Sequence, residues 1–193
     1  MKIVGTGCGP GMLTREAILA IRGAEKIYGS ERAIAMVKEY IRSDCRVEEI
    51  RDYKNLGSLP RDSVVLSTGD PMLAGLGNLS GDVIPGISSL QVTAARLGVP
   101  LARISVVLAH GRDHGTACAE TMKELLRGKI VFLLADPGFE VTGLAESLVH
   151  GYRDTKIAVC EDLGYPDEQI RIGSCREPPI PGSILFSLLI GDF

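Results

Sequence analysis

The chain has 193 residues, 45% of them hydrophobic, enough to bury the core of one large domain or two small ones. Its formal net charge of -3 gives no general attraction for nucleic acid or an anionic membrane surface. No apolar run approaches the roughly 20 residues that span a bilayer, and Lys2-Ile3-Val4 runs straight into Gly5; no membrane segment or signal peptide is expected, and the protein is read as cytoplasmic.

Lys2-Ile3-Val4 predicts a strand, which Gly5-Thr6-Gly7-Cys8-Gly9-Pro10-Gly11 turns into a helix over 14–22. Strand, glycine-rich turn and helix open a nucleotide-binding unit. The dinucleotide fingerprint is nevertheless broken. Counting Gly-x-Gly-x-x-Gly from Gly5 puts Pro10 at the third glycine, and counting from Gly7 puts Met12 there. Pro10 offers no N–H to a phosphate. The second strand, 25–28, ends in Gly29-Ser30 rather than in an acidic residue, and no Gly-Lys-Ser/Thr follows the loop. What remains is a loop with little side chain. It either turns strand into helix or lets something large and flat approach the backbone.

Ser30 is a good cap for a helix over 30–41, with Glu31 in its first turn. A short strand over 46–50 and a polar connection over 54–60 lead to a buried parallel strand, 62–67, ending in Thr68-Gly69-Asp70-Pro71. Ligands of open α/β sheets bind at such carboxyl ends. Gly69 permits close approach. Asp70 precedes a proline, so it is expected to be extended and not to start a helix, with its carboxylate open to a ribose or an amino group. The same tripeptide is also ordinary turn chemistry. A strand over 82–84 ends in Pro85-Gly86-Ile87-Ser88-Ser89 before a helix over 90–97. Ser88 and Ser89 either cap that helix or present hydroxyls to a ligand.

Gly98-Val99-Pro100 breaks the pattern and places a domain boundary near 100–103, giving domains 1–102 and 103–193. A strand over 104–108 ends in His110-Gly111-Arg112-Asp113-His114-Gly115. The histidines have the spacing of a helical metal pair, but Gly111 and Gly115 argue for loop and no third ligand is near, so no metal is expected. A basic loop for an anionic ligand fits better, because Arg112 is a planar fork for carboxylates. A helix over 116–127, a strong strand over 129–134 ending in Ala135-Asp136-Pro137-Gly138, and a helix over 139–150 follow. Strands over 156–160 and 168–173 and a last one over 183–190 come without helices, which predicts a mixed sheet. The five cysteines, Cys8, Cys45, Cys118, Cys160 and Cys175, are odd in number and form no Cys-x-x-Cys, so they are read as free thiols.

Taken together, Gly7-Cys8-Gly9-Pro10-Gly11, Gly69-Asp70-Pro71 and Pro85-Gly86-Ile87-Ser88-Ser89 resemble the tetrapyrrole methylases. In the second half, His110-Gly111-Arg112, Glu161-Asp162-Leu163-Gly164 and Glu168-Gln169-Ile170 followed by Gly173 are similar to the precorrin-6Y/cobalt-precorrin-7 branch. That branch methylates carbon 5 of the corrin ring in cobalamin biosynthesis. Two positions depart from the pattern: Met72-Leu73-Ala74 stand where an aromatic is expected, and Asp162 where an asparagine is.

The resemblance implies two α/β domains, the first with a mostly parallel sheet and the second with a mixed one, and an active site in the cleft between them. It implies S-adenosylmethionine held by Gly69, Asp70, Pro71, Leu73, Ser88, Ser89, Leu134, Ala135 and Leu163. A corrinoid would lie over Gly9, Pro10 and Gly11, its carboxylates meeting Arg112, His110, His114 and Arg15. Catalysis would rest on orientation, so no catalytic base is named. A homodimer is implied, and a separate protein would methylate carbon 15 and decarboxylate the ring. Methylases of the same fold that act on sirohaem precursors, diphthamide or ribosomal RNA remain open. So do a nucleotide-binding oxidoreductase and a non-catalytic adenosine-binding module.

Overall fold

The residues described by the computed structural model, 1–152 and 154–193, form ten strands and six α-helices. They belong to two compact units, Met1–Ser89 and Leu90–Phe193.

In the first unit β1 (Lys2–Gly5), β2 (Lys26–Gly29), β3 (Arg46–Glu49), β4 (Val64–Ser67) and β5 (Asp82–Ile84) form a sheet of order β3-β2-β4-β1-β5. Every pairing in it is parallel. β4 is buried along its whole length, which is why Val64, Val65 and Leu66 follow one another without a polar break before Ser67. The helices α1 (Arg15–Arg22) and α2 (Glu31–Val37) are capped by Thr14 and Ser30, whose hydroxyls accept from Ala17 N at 3.1 Å and Ala33 N at 3.2 Å. Their apolar faces join Val4, Ile27, Val64 and Leu66 in one core. Val65 packs with Ile50 and Leu56 in another. The helix expected over 30–41 ends at Val37 and continues as a 3₁₀ turn, Lys38–Tyr40.

The helix start at Asp70 corrects the sequence reading. Asp70 is extended, at φ -107° and ψ 129°, as the following proline requires, yet it does begin a helix: the single turn α3 (Pro71–Ala74). Extended backbone is the ordinary conformation of an N-cap, and a proline at the first helical position lacks only an N–H that would have had no partner there.

The second unit takes up most of α4 (Ser89–Leu97) and a sheet of β6 (Ile104–Leu108), β7 (Ile130–Leu134), β8 (Lys156–Glu161), β9 (Gln169–Ser174) and β10 (Phe186–Gly191). Its order is β6-β7-β10-β8-β9. The β6–β7 pair is parallel, and β10 runs antiparallel to both β7 and β8, as β9 does to β8. The last strand therefore inserts into the middle of the sheet, and all six of its residues are buried. Two helices, α5 (His114–Leu126) and α6 (Val141–Leu148), bury Ala117, Leu125, Leu144 and Leu148 against Val131, Leu133, Val159 and Leu188. His114 and Gly115, expected in a loop, open α5 instead, because the Asp113 carboxylate accepts from Thr116 N at 2.7 Å and caps the helix there. No helix among the described residues is long and apolar enough to cross a membrane.

Candidate functional site

In the first unit the loops after β1, β4 and β5 meet because β1 lies between the other two strands and all three point the same way. The glycine loop leaves β1 by crossing the end of β4. Gly7 N donates to Gly69 O at 3.2 Å and Gly69 N to Gly7 O at 2.7 Å. On the other side Cys8 N donates to Ile87 O at 2.9 Å. Gly5, Gly69 and Gly86 form the centre of this junction. A Cβ on Gly86 would lie 2.1 Å from Gly69 O, and one on Gly5 would lie 2.5 Å from Gly86 N. Gly69, at φ 70°, turns its own Cβ position toward open space. The junction is thus closed among its backbones and open above Gly69, a cradle that a side chain there would fill.

Asp70 ties the junction together. Its Oδ1 accepts from Met72 N at 2.8 Å and its Oδ2 from Gly86 N at 3.0 Å. One carboxylate oxygen caps α3 and the other fastens the β4 loop to the β5 loop. A carboxylate has further lone pairs for a ligand. Around it, Pro71 is buried, Leu73 is half-buried and Met72, where an aromatic was expected, is 66% exposed. Ser88 is buried immediately before α4, and Ser89, half-buried, is the first residue of that helix. Gly9 is buried, while Pro10 and Gly11 are exposed at the tip of the loop.

In the second unit the corresponding strand ends are those of β6 and β7. Ala109 N and His110 N both donate to Leu134 O, at 2.9 and 3.0 Å, and Arg112 N donates to Ala109 O at 3.1 Å. The side chains of His110 and Arg112 are exposed. Ala135 is buried and Leu134 half-buried. Asp136 repeats the device seen at Asp70: Oδ1 accepts from Gly138 N, two residues on, at 3.0 Å, and Oδ2 from Gly111 N in the neighbouring loop at 3.4 Å. His114 Nε2 adds a third donor, 3.2 Å from Oδ2. Burial pushes the Asp136 carboxyl up, but the bonds from His114, Gly111 and Gly138 outweigh it and hold the group below the usual carboxylate range.

A further loop follows β8. Asp162 is left-handed at φ 47°, a conformation that Asp and Asn both tolerate, so the expected asparagine and the aspartate present serve the backbone alike. Leu163 beside it is buried. Two carboxylates fasten the surroundings: Glu168 accepts from Gly164 N at 2.7 Å and pairs with Arg96, while Glu161 accepts from Ser183 N at 2.7 Å, from Gly182 N and from Arg171.

Sequence reasoning named the glycines, Asp70 and the basic loop, with His114 among the cations for substrate carboxylates; the structure turns His114 to Asp136 instead, and the parts of Asp136 and Glu168 were missed. Only Asp136 carried a signal that could have been read: Asp136-Pro137 ends a buried strand as Asp70-Pro71 does. Among the described residues no group of three or more His, Cys, Asp or Glu is placed to hold a metal ion.

The family model described as Tetrapyrrole (Corrin/Porphyrin) Methylases matches residues 2–179. A protein of Methanocaldococcus jannaschii described as "Probable cobalt-precorrin-7 C(5)-methyltransferase" is 30% identical, over 89% of this chain and 88% of its own length. A "Precorrin-6Y C(5,15)-methyltransferase [decarboxylating]" of Mycobacterium tuberculosis is 28% identical over 92% of the chain, which spans about half, 48%, of that relative. The crystal structure of a cobalamin biosynthesis precorrin-6Y methylase from Archaeoglobus fulgidus superimposes with a TM-score of 0.75 at 30% identity, covering 99% of this chain and 97% of that one.

Proposed function

Because the chain belongs to the family of tetrapyrrole (corrin/porphyrin) methylases, we propose that it is an S-adenosylmethionine-dependent methyltransferase acting on carbon 5 of a precorrin or cobalt-precorrin in cobalamin biosynthesis. The observation that carries the reading is the 30% identity to a relative named for that reaction, spread over 89% of the chain. The glycine junction supports it: bare backbone at three strand ends, with the space above Gly69 free, suits a ligand that lies close against the chain.

When bound, S-adenosylmethionine supplies an electrophilic methyl group. The chain's own part is to bind and orient. In this reading Gly69, Asp70, Pro71, Leu73, Ser88 and Ser89 take the donor in the first unit, and Leu134, Ala135 and Leu163 in the second. Asp70 has lone pairs left after its two backbone bonds and accepts from the donor's hydroxyl or amino groups. Gly9, Pro10 and Gly11 give the macrocycle a slim surface, and His110 and Arg112 meet its carboxylates. Holding two reactants in line is worth about 7–11 kcal/mol of barrier in favourable cases, so no catalytic base is assigned. The protein is further proposed to act in the cytoplasm as a homodimer, with functional domains 1–102 and 103–193. Only the carbon-5 transfer is assigned to it.

The test is transfer of a carbon-13 methyl from labelled S-adenosylmethionine, with the product read by NMR. Precorrin and cobalt-precorrin acceptors are compared with uroporphyrinogen III. Label at carbon 5 of either corrinoid is expected. Label on uroporphyrinogen alone, or calorimetric binding of NAD but not of S-adenosylhomocysteine, would overturn the proposal. Light scattering checks the dimer.

A further inference from the structure

The carboxylate of Asp136 collects more donors than a turn needs. Gly138 N alone would complete the local turn, at 3.0 Å. Gly111 N, at 3.4 Å, and His114 Nε2, 3.1 Å from Oδ1 and 3.2 Å from Oδ2, come from beyond the turn, across the strand boundary. The carboxylate is 20% exposed and the imidazole 36%. The ring of His114 stands edge-on to Phe139, with centroids 5.1 Å apart and planes at 64°. Phe139 is itself buried in the core. His114 is therefore held between a carboxylate on one side and a fixed aromatic on another, and its freedom is small.

What this arrangement restrains is the loop between β6 and α5. Gly111 is left-handed at φ 67°, and Asp136 accepts its N–H in that conformation. Gly111 lies between the two exposed basic side chains, His110 and Arg112. Among the described residues no carboxylate is paired with the Arg112 guanidinium. An unpaired cation on a restrained loop differs from one on a free loop. It meets an anionic partner without first having to be ordered, and that ordering cost is otherwise subtracted from binding.

We propose that Asp136 and His114 are positioning residues, a latch that holds residues 110–112 in the shape that presents Arg112 and His110 to a substrate carboxylate. The proposal deepens the carbon-5 methyltransferase reading and rests on it for the identity of the substrate. Neither residue is assigned contact with the reacting atoms.

The experiment has one arm that needs no substrate. Amide exchange at residues 109–113 is compared in the wild-type protein, Asp136→Ala and His114→Phe. Removing the acceptor or its main donor is expected to speed exchange at Gly111 about ten-fold or more, the equivalent of losing one hydrogen bond. In the second arm the same variants should raise the KM for the corrinoid about ten-fold while leaving the KM for S-adenosylmethionine near wild type. His114→Gln keeps an N–H donor and should restore most of the corrinoid KM.

Unchanged exchange at 109–113 in an active enzyme overturns the latch and leaves the methyltransferase reading standing. Equal rises in both KM values, or a His114→Gln as poor as His114→Phe, reduce the pair to general structural support and also overturn it. If exchange quickens as expected but the wild-type protein methylates no corrinoid, the substrate role falls together with the reading it rests on.

Discussion

Single glycines decide how closely the strand ends of the first unit can meet. At Gly86 the nearest atom to an added methyl is a backbone carbonyl oxygen, Gly69 O at 2.1 Å, which cannot swing away as a flexible side chain would. Gly86→Ala must therefore move strand ends, and a loss of about 2–4 kcal/mol is expected in urea denaturation. Gly11→Ala makes a contrast, since Gly11 has φ 77° but open space around its Cβ position; there only the backbone preference is lost, about 1 kcal/mol. Asp70→Ala strands two N–H groups, those of Met72 and Gly86. It should cost about 1–3 kcal/mol and weaken S-adenosylhomocysteine in calorimetry. A Gly86→Ala protein as stable as wild type, or unchanged affinity in Asp70→Ala, would remove these residues from the roles given to them.

Among the elements, the antiparallel strands of the second unit depend on a corner at the end of β8. Glu161 is the buried member of an ion pair, its side chain 4% exposed against 45% for Arg171. The same carboxylate accepts from the backbone of Gly182 and Ser183, just ahead of β10. β10 starts at Phe186, opposite Glu161, the last residue of β8, and the chain at 182–183 just ahead of it is bound to the same carboxylate. Glu161→Gln keeps an acceptor oxygen but loses the charge that matches Arg171 and shortens these bonds. A loss of about 1–3 kcal/mol in urea denaturation is expected. A neutral result would mean that the corner is held by the strands alone. The expectation of a final strand over 183–190 was right in kind; the strand begins three residues later, at Phe186, and ends one later, at Gly191.

Across the whole molecule, carboxylates of this sort make stability depend on acid. Burial raises the Glu161 carboxyl, but Ser183, Arg171 and Gly182 lower it by more; Arg96 lowers Glu168 against its burial; Asp136 is lowered as described. Each is held below its ordinary value in the folded state, so the unfolded chain binds the proton more tightly. The contribution is complete above the ordinary carboxylate range, about pH 4 to 4.5, and is lost as pH falls below it through the lowered folded values. A melting temperature that is flat from about pH 6 to 8 and drops below about pH 4.5 is expected, with a shallower acid limb in Glu161→Gln. A limb of unchanged slope in that variant would exclude Glu161 as a contributor. The thiols follow the same physics of burial. Cys160, enclosed in β8, is pushed up to about 11, which keeps it an inert packing group.

Much of this architecture was legible in the chain itself. The mostly parallel first sheet was implied by the family resemblance; most strands and helices and the mixed character of the second half follow from apolar runs, caps and glycine-proline turns. Such signals are local, and a residue's neighbours within one turn or one strand suffice to state them. The glycine, Gly-Asp-Pro and Ile-Ser-Ser loops were likewise visible as loops at strand ends. The tertiary structure alone decided that the last strand enters between β7 and β8, since its apolar run would fit any central place in a sheet. It also decided what the aspartates do. Asp70 was read as a ligand's partner and does not read as a fastener, because Gly86 lies 16 residues away; Asp136 meets Gly111 across 25. A carboxylate's partner at such separations is set by which strands lie side by side, and no local pattern records that.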